Sequence, residues 1–124
     1  MPKNAILIVD DDPKSRKLLN TILKVEGYTT IEAINGKQGF ELAKAQKPSL
    51  ILMDIMMPVM DGLTALSLLR NDKATSAIPV TMLTSVGHEL NRILSIDLGA
   101  VEYITKPVDR IELLNTIRRL MVSA

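Results

Sequence analysis

Side chains able to bind a cation or carry a charged group fall where short apolar runs end. The run 5–9 ends in Asp10-Asp11-Asp12, and the run 50–53 ends in Asp54. The run 78–83 ends in Thr84-Ser85, and 101–104 leads into Lys106-Pro107. Carboxylates that meet in one place repel, so they need a cation or shifted pKa values. Hard oxygen donors suit Mg²⁺, which keeps several waters and takes one or two carboxylates together with phosphate oxygens. A carboxylate can also attack phosphorus and become an aspartyl phosphate. A neighbouring ammonium and hydroxyl then neutralise charge on the group in transfer. Asp54 is the candidate nucleophile, with Lys106 and Thr84 as candidate stabilisers beside the acids Asp10 and Asp11. Each of these residues alone has a plainer reading: aspartates cap helices, threonine suits strands, and lysine sits on solvated surfaces. Their joint occurrence at successive strand ends is what favours chemistry.

The apolar runs are short and continuous, the pattern of strands buried on both faces. Helical spacing fills the gaps between them. Pro13 stands at a first helical position behind Asp12 as N-cap, and Leu18, Leu19, Ile22, Leu23 and Val25 follow until Gly27 closes the helix. Residues 28–34 form a strand of mixed polarity near an edge, Asn35-Gly36 reads as a turn, and a short helix covers 39–46. A helix over 63–69 has Asp61 as cap, and a polar connection covers 71–77. A helix of weaker pattern runs over 88–98 and stops at Gly99. The last helix starts at the Asp109 and Glu112 cap pair, with Val108 and Leu113 as a staple. It ends near Met121, with Ile111, Leu114, Ile117 and Leu120 facing inward. Strand and helix thus alternate, which argues an α/β fold: a doubly wound, five-stranded parallel sheet with five helices. Right-handed crossovers put every strand's carboxyl end on one edge, where such sheets bind ligands.

The totals set limits. A chain of 124 residues predicts one domain over 1–124 with one sizeable core. Aromatic residues are 2%, so that core must be aliphatic; Tyr28, Phe40 and Tyr103 are the whole set. A net charge of +1 offers no clustered basic face for direct nucleic-acid binding. With no cysteine there is no disulfide framework or thiolate metal site, which suits a cytoplasmic setting. No apolar run approaches the roughly 18 residues of a membrane span, and no signal peptide is visible.

From about Ala5 to Leu120 the chain resembles the receiver (CheY-like) domains of bacterial two-component response regulators. The motifs are Ile6-Leu7-Ile8-Val9-Asp10-Asp11-Asp12, Met53-Asp54-Ile55-Met56-Met57-Pro58-Val59-Met60-Asp61-Gly62, Leu83-Thr84-Ser85 and Gly99-Ala100-Val101-Glu102-Tyr103-Ile104-Thr105-Lys106-Pro107. Singly they are weak, but in this order and spacing they are highly specific. The resemblance implies a flavodoxin-like strand order 2-1-3-4-5. It implies that Asp54 takes phosphate from the phosphohistidine of a sensor histidine kinase or histidine phosphotransfer protein. It makes Asp11 and Asp54 direct Mg²⁺ ligands, Asp10 a ligand through water and Met56 one through its backbone carbonyl. Lys106 would pair with the phosphoryl oxygens and Thr84 would hydrogen-bond to them. Thr84 and Tyr103 would form the switch, acting on the face made by the helix from His88, the last strand and the last helix. That face would serve a downstream protein or an attached effector domain, and could pair two copies as a homodimer. Met56 and Val86 hold the positions that tune phosphoryl lifetime, and neither can position a water, so self-dephosphorylation should be slow. Beyond that self-catalysed chemistry no enzyme activity is implied, and the Lys106-Pro107 bond is expected to be cis.

Three rival readings are weaker, the weakest being a degenerate receiver that never takes phosphate, since no site position has been lost. A haloacid-dehalogenase-type phosphatase would need a second aspartate where Met56 stands. A flavin module would need a phosphate-cradling loop where Asp10-Asp11-Asp12-Pro13 repels anions. His88 alone makes no metal site, Met53, Met56, Met57, Met60 and Met82 read as gap-fillers, and Arg118 and Arg119 read as solvated charge at a helix C-terminus.

Overall fold

The structure is a computed structural model and describes residues 5–85 and 89–121. In chain order the elements are β1 (Ala5–Val9), α1 (Pro13–Val25), β2 (Thr29–Ala33), α2 (Gly36–Gln46), β3 (Leu50–Asp54), α3 (Gly62–Asn71), β4 (Val80–Ser85), α4 (Glu89–Asp97), β5 (Glu102–Lys106) and α5 (Arg110–Met121). The strands form one five-stranded parallel sheet in the order β2-β1-β3-β4-β5. This is the flavodoxin-like order expected from the resemblance. The central strands β1 and β3 are buried along their whole length, which is why they read as unbroken apolar runs. Edge strand β2 alternates polar and apolar residues, as a strand covered on fewer sides should.

The pleat sorts side chains to two cores. Ile6, Ile8, Leu50, Leu52, Leu83 and Ile104 pack with Leu19 and Leu23 of α1 and Leu113, Leu114 and Ile117 of α5. Leu7, Val9, Ile51, Met53, Val80 and Met82 pack with Ala43 of α2 and Ala65, Leu66 and Leu69 of α3. Helices therefore cover both faces; the fully buried members of both layers are non-aromatic, with Phe40 and Tyr103 packed against one and Tyr28 against the other.

Caps explain most boundaries. Asp12, Asp61 and Asp109 accept backbone N–H groups of Lys14, Thr64 and Glu112. Gly27 (φ 91°) and Gly99 (φ 105°) adopt the left-handed conformation that ends α1 and α4. Val108 packs against the core cluster containing Leu113, as the staple requires.

Several expectations need correction. Asn35-Gly36 is no free turn: Asn35 Oδ1 accepts from Gln38 N at 2.8 Å and starts α2 at Gly36, three residues before the expected start at 39. Gln38 Oε1 in turn accepts from Ile34 N at 2.7 Å, one residue before the cap, and ties the end of the preceding segment to the first turn of α2. β4 begins at Val80 rather than 78, after Pro79. Ile111 is 67% exposed, not inward, because Leu113, Leu114 and Ile117 form the buried stripe of α5. Leu18 and Val25 are also exposed. Met53 and Met82 fill the core and Met57 and Met60 pack against it, but Met56 is exposed and fills nothing. Arg118 and Arg119 are solvated yet paired, with Glu26 at 3.1 Å and Glu102 at 2.7 Å.

Candidate functional site

Strand alternation decides which side chains meet. Asp10 continues the Ile6–Ile8 series of β1, Asp54 the Leu50–Leu52 series of β3, and Lys106 follows Ile104 on β5. All three therefore leave the carboxyl edge on the α1/α5 side. Lys106 Nζ donates to Asp10 Oδ2 at 2.8 Å and to Asp54 Oδ2 at 3.3 Å. Asp10 Oδ1 accepts from Asp12 N, and Asp54 Oδ1 from Ile55 N, each at 2.9 Å. Carboxylate oxygens of Asp10, Asp11 and Asp54 lie within 4.8 Å of one another. Asp10 is fully buried and Asp54 nearly so, whereas Asp11 is exposed at the rim.

Electrostatics follow from this packing. Burial raises the Asp54 pKa above the ordinary aspartate value; the Asp10 charge adds to this and the Lys106 charge opposes it. Burial by itself pulls the Lys106 ammonium down, but its hydrogen bonds and the charges of Asp10 and Asp54 outweigh that and hold its pKa above the ordinary lysine value. The site is thus a charged cluster in which one amine is shared between two acids.

Thr84 sits on the other side of the pleat, continuing the Val80–Met82 series. Its hydroxyl is buried and has no hydrogen-bond partner among the described residues. Leaving a buried donor unmet costs about 1–3 kcal/mol, so this hydroxyl is suited to an acceptor that arrives later. Tyr103 faces Met82 across β4–β5 and packs half-buried against the same core. Thr84 and Tyr103 therefore share a face, as the switch expectation needs.

The loop after Asp54 is clamped at two points. Gly62 N donates to Ile55 O at 2.8 Å, and Gly36 N to Met60 O at 3.0 Å. A Cβ on Gly62 would stand 2.2 Å from the Asp54 carbonyl oxygen, so only glycine lets α3 approach this strand end. Between the clamps, Met60 N donates to Pro58 O at 2.8 Å around Val59, whose φ is 71°. That is the rare, strained form of γ-turn, here on a β-branched residue. Met56 lies in this loop with its side chain exposed. The Lys106-Pro107 peptide is cis.

Sequence reasoning missed the wall of the crevice. Ser15, Leu18, Ser85 and Val108 line, with Lys106, a cleft of about 370 Å³. The signal was present in Leu18, whose place on the apolar stripe of α1 opens over this cleft instead of the core. Val86 and His88 lie outside the described residues.

Parallel strands bring acids, an amine and a buried hydroxyl to one edge, an arrangement suited to a cation and an oxyanion. Residues 6–118 match the model of the response regulator receiver domain, and the chain belongs to that family, the signal-receiving module of two-component regulation. It is 42% identical over 121 residues to the DNA-binding dual master transcriptional regulator RpaA of Synechocystis, covering 98% of this chain and 49% of that protein. It is 41% identical to Protein PilH of Pseudomonas aeruginosa, over 94% of this chain and 96% of that one. The chain thus spans about half the length of some curated relatives and nearly all of another. Among solved structures it is similar to the receiver domain of a sensor histidine kinase from Pseudomonas aeruginosa PAO1, with a TM-score of 0.89 and 28% identity over 96% of this chain and 98% of that one. That structure is described with a magnesium ion coordinated in its active site cleft.

Proposed function

We propose that this chain receives a phosphoryl group on Asp54 from a phosphohistidine of a sensor histidine kinase or histidine phosphotransfer protein. The observation that carries the reading is the shared amine: Lys106 bridges Asp10 and Asp54 inside a cluster of three carboxylates. An Asp54 oxygen attacks phosphorus, the bond from phosphorus to the imidazole nitrogen breaks, and that nitrogen keeps the electron pair. Lys106 swings its donors to the phosphoryl oxygens, and the unpartnered Thr84 hydroxyl donates a hydrogen bond to one of them.

The donor set fits Mg²⁺, since it consists of hard carboxylate oxygens around a compact, partly solvated centre. Asp54 and the exposed Asp11 are the direct ligands in this reading. Asp10 acts through water in this reading; it holds the Lys106 amine more closely, at 2.8 Å against 3.3 Å for Asp54. The Met56 backbone carbonyl completes the set. When bound, the metal neutralises charge on the phosphoryl oxygens.

Phosphorylation adds roughly 1.5–2 negative charges, enough to bias a two-state element. We read Thr84 and Tyr103 as that element and α4, β5 and α5 as the face it alters. The face serves a downstream protein or an attached effector domain, or joins two copies. The chain turns over no external substrate, and it loses its phosphoryl group slowly because Met56 and Val86 cannot orient a water. No helix among the described residues is long and apolar enough to cross a membrane. The absence of cysteine suits a cytoplasmic location.

Incubation with a phosphorylated histidine kinase and Mg²⁺ tests the assignment by mass spectrometry. The expected result is one acid-labile phosphoryl group on the wild type and none on Asp54→Asn. Equal labelling of both proteins would remove Asp54 from the role.

A further inference from the structure

We infer that Arg16 is a positioning residue for the acidic cluster, acting through the Asp10–Asp11 peptide. The inference rests on reading Asp10, Asp11 and Asp54 as a Mg²⁺ site. Arg16 Nη1 donates to the Asp10 carbonyl oxygen at 2.7 Å, and its Nε donates to Glu32 Oε1 at 3.2 Å. Glu32 sits on β2, opposite Ile8 of β1. Its other oxygen accepts from the Asn20 side-chain amide, and Asn20 Oδ1 accepts from the Thr30 hydroxyl. Asn20 is buried and the Arg16 side chain is largely so. A line of polar groups therefore runs from β2 through α1 to the peptide that joins the two acids.

This arrangement has two effects. The Asp10 N–H is tied to Ala33 O at 3.1 Å, and Arg16 ties its carbonyl, so both ends of the residue are held. Asp11 leaves the strand directly after that carbonyl with an exposed side chain, and its backbone is what aims its carboxylate. The second effect is electrostatic. A guanidinium beside three carboxylates would be drawn to them and would compete with a cation. Glu32 takes up that charge and keeps the fork on a neutral carbonyl, leaving the acids to the metal.

The sign of one substitution separates this role from simple charge. Arg16→Met removes a positive charge near a cation site, so charge alone predicts tighter Mg²⁺ binding. Positioning predicts weaker binding, by about tenfold, the lower end for lost partners of metal ligands. Isothermal titration of the full chain with Mg²⁺ reads the difference, with circular dichroism to verify the fold. If Arg16→Met does not fold, Arg16→Lys carries the test: it keeps the charge, loses the two-pronged geometry, and should weaken binding by a smaller factor. Unchanged or tighter binding in the folded variant would reduce Arg16 to a clasp between α1 and β2 and overturn the inference. A wild-type chain that binds no Mg²⁺ would overturn the metal reading itself, and this inference with it.

Discussion

α3 and α4 flank the sheet in succession, and each carries a comparable share of leucine and isoleucine. Their fates differ. α3 buries Gly62, Ala65, Leu66 and Leu69 and is capped by Asp61. Among the described side chains of α4 only Ser95 is buried, while Leu90, Ile93, Leu94 and Ile96 are exposed. Arg70 joins the two helices: its Nε donates to Gly99 O at 3.0 Å, and its Nη1 to Ser76 O at 3.1 Å. α4 is thus pinned just past its C-terminal end and lightly covered along its length. Exposed apolar patches of this kind mark interaction surfaces, and elements that bury little move at little cost. α3 is therefore the buried support of the strand end that carries Asp54, while α4 leaves its apolar side chains open to solvent.

Four measurements test that contrast. Leu66→Ala should lower the unfolding free energy by about 3 kcal/mol, whereas Ile93→Ala should stay within about 0.5 kcal/mol. Urea denaturation checks both, and equal losses would erase the distinction. Gly62→Ala should cost about 2 kcal/mol, because its methyl would meet the Asp54 carbonyl oxygen. A neutral result in the same assay would mean that α3 can retreat from the strand. Val59→Gly should stabilise by about 1 kcal/mol by relieving the positive φ in the loop that enters α3; a loss in thermal melts would show that the turn carries no strain.

The last prediction concerns pH. Burial is the main cause of the raised Asp54 pKa, so between the ordinary aspartate range and the folded-state pKa the folded chain binds more protons there than the unfolded chain. That contribution is complete below the ordinary aspartate range and is lost as pH rises through the folded-state pKa. Without Mg²⁺, ionising Asp54 therefore costs stability, and Asp54→Asn should melt at a higher temperature than the wild type at neutral pH. The gap should close on acidification. A variant that melts lower at neutral pH would contradict this.

Much of the fold was legible because its strongest signals are local. Buried parallel strands are continuous apolar runs, and the aspartate caps and closing glycines announce themselves over three or four residues. The errors arose where one local signal had two meanings. Asn35-Gly36 reads as a turn, yet the same asparagine caps a helix, with Gln38 folded back to Ile34. Leu18, Ile111 and the apolar residues of α4 satisfy helical periodicity, which reports a stripe but not what covers it.

Residue types at the ends of the apolar runs dictate the chemistry on offer at the sheet's edge: acids after β1 and on β3, a hydroxyl on β4, an amine on β5. How those groups are shared depends on the folded sheet. The pleat put Asp10, Asp54 and Lys106 on one side and Thr84 with Tyr103 on the other. It also brought Arg16 and Glu32 behind the acids, a pairing between residues 16 positions apart. The physical reason is that strand ends are set by local runs, while ion pairs and orphaned donors depend on register between segments that only the folded sheet brings together.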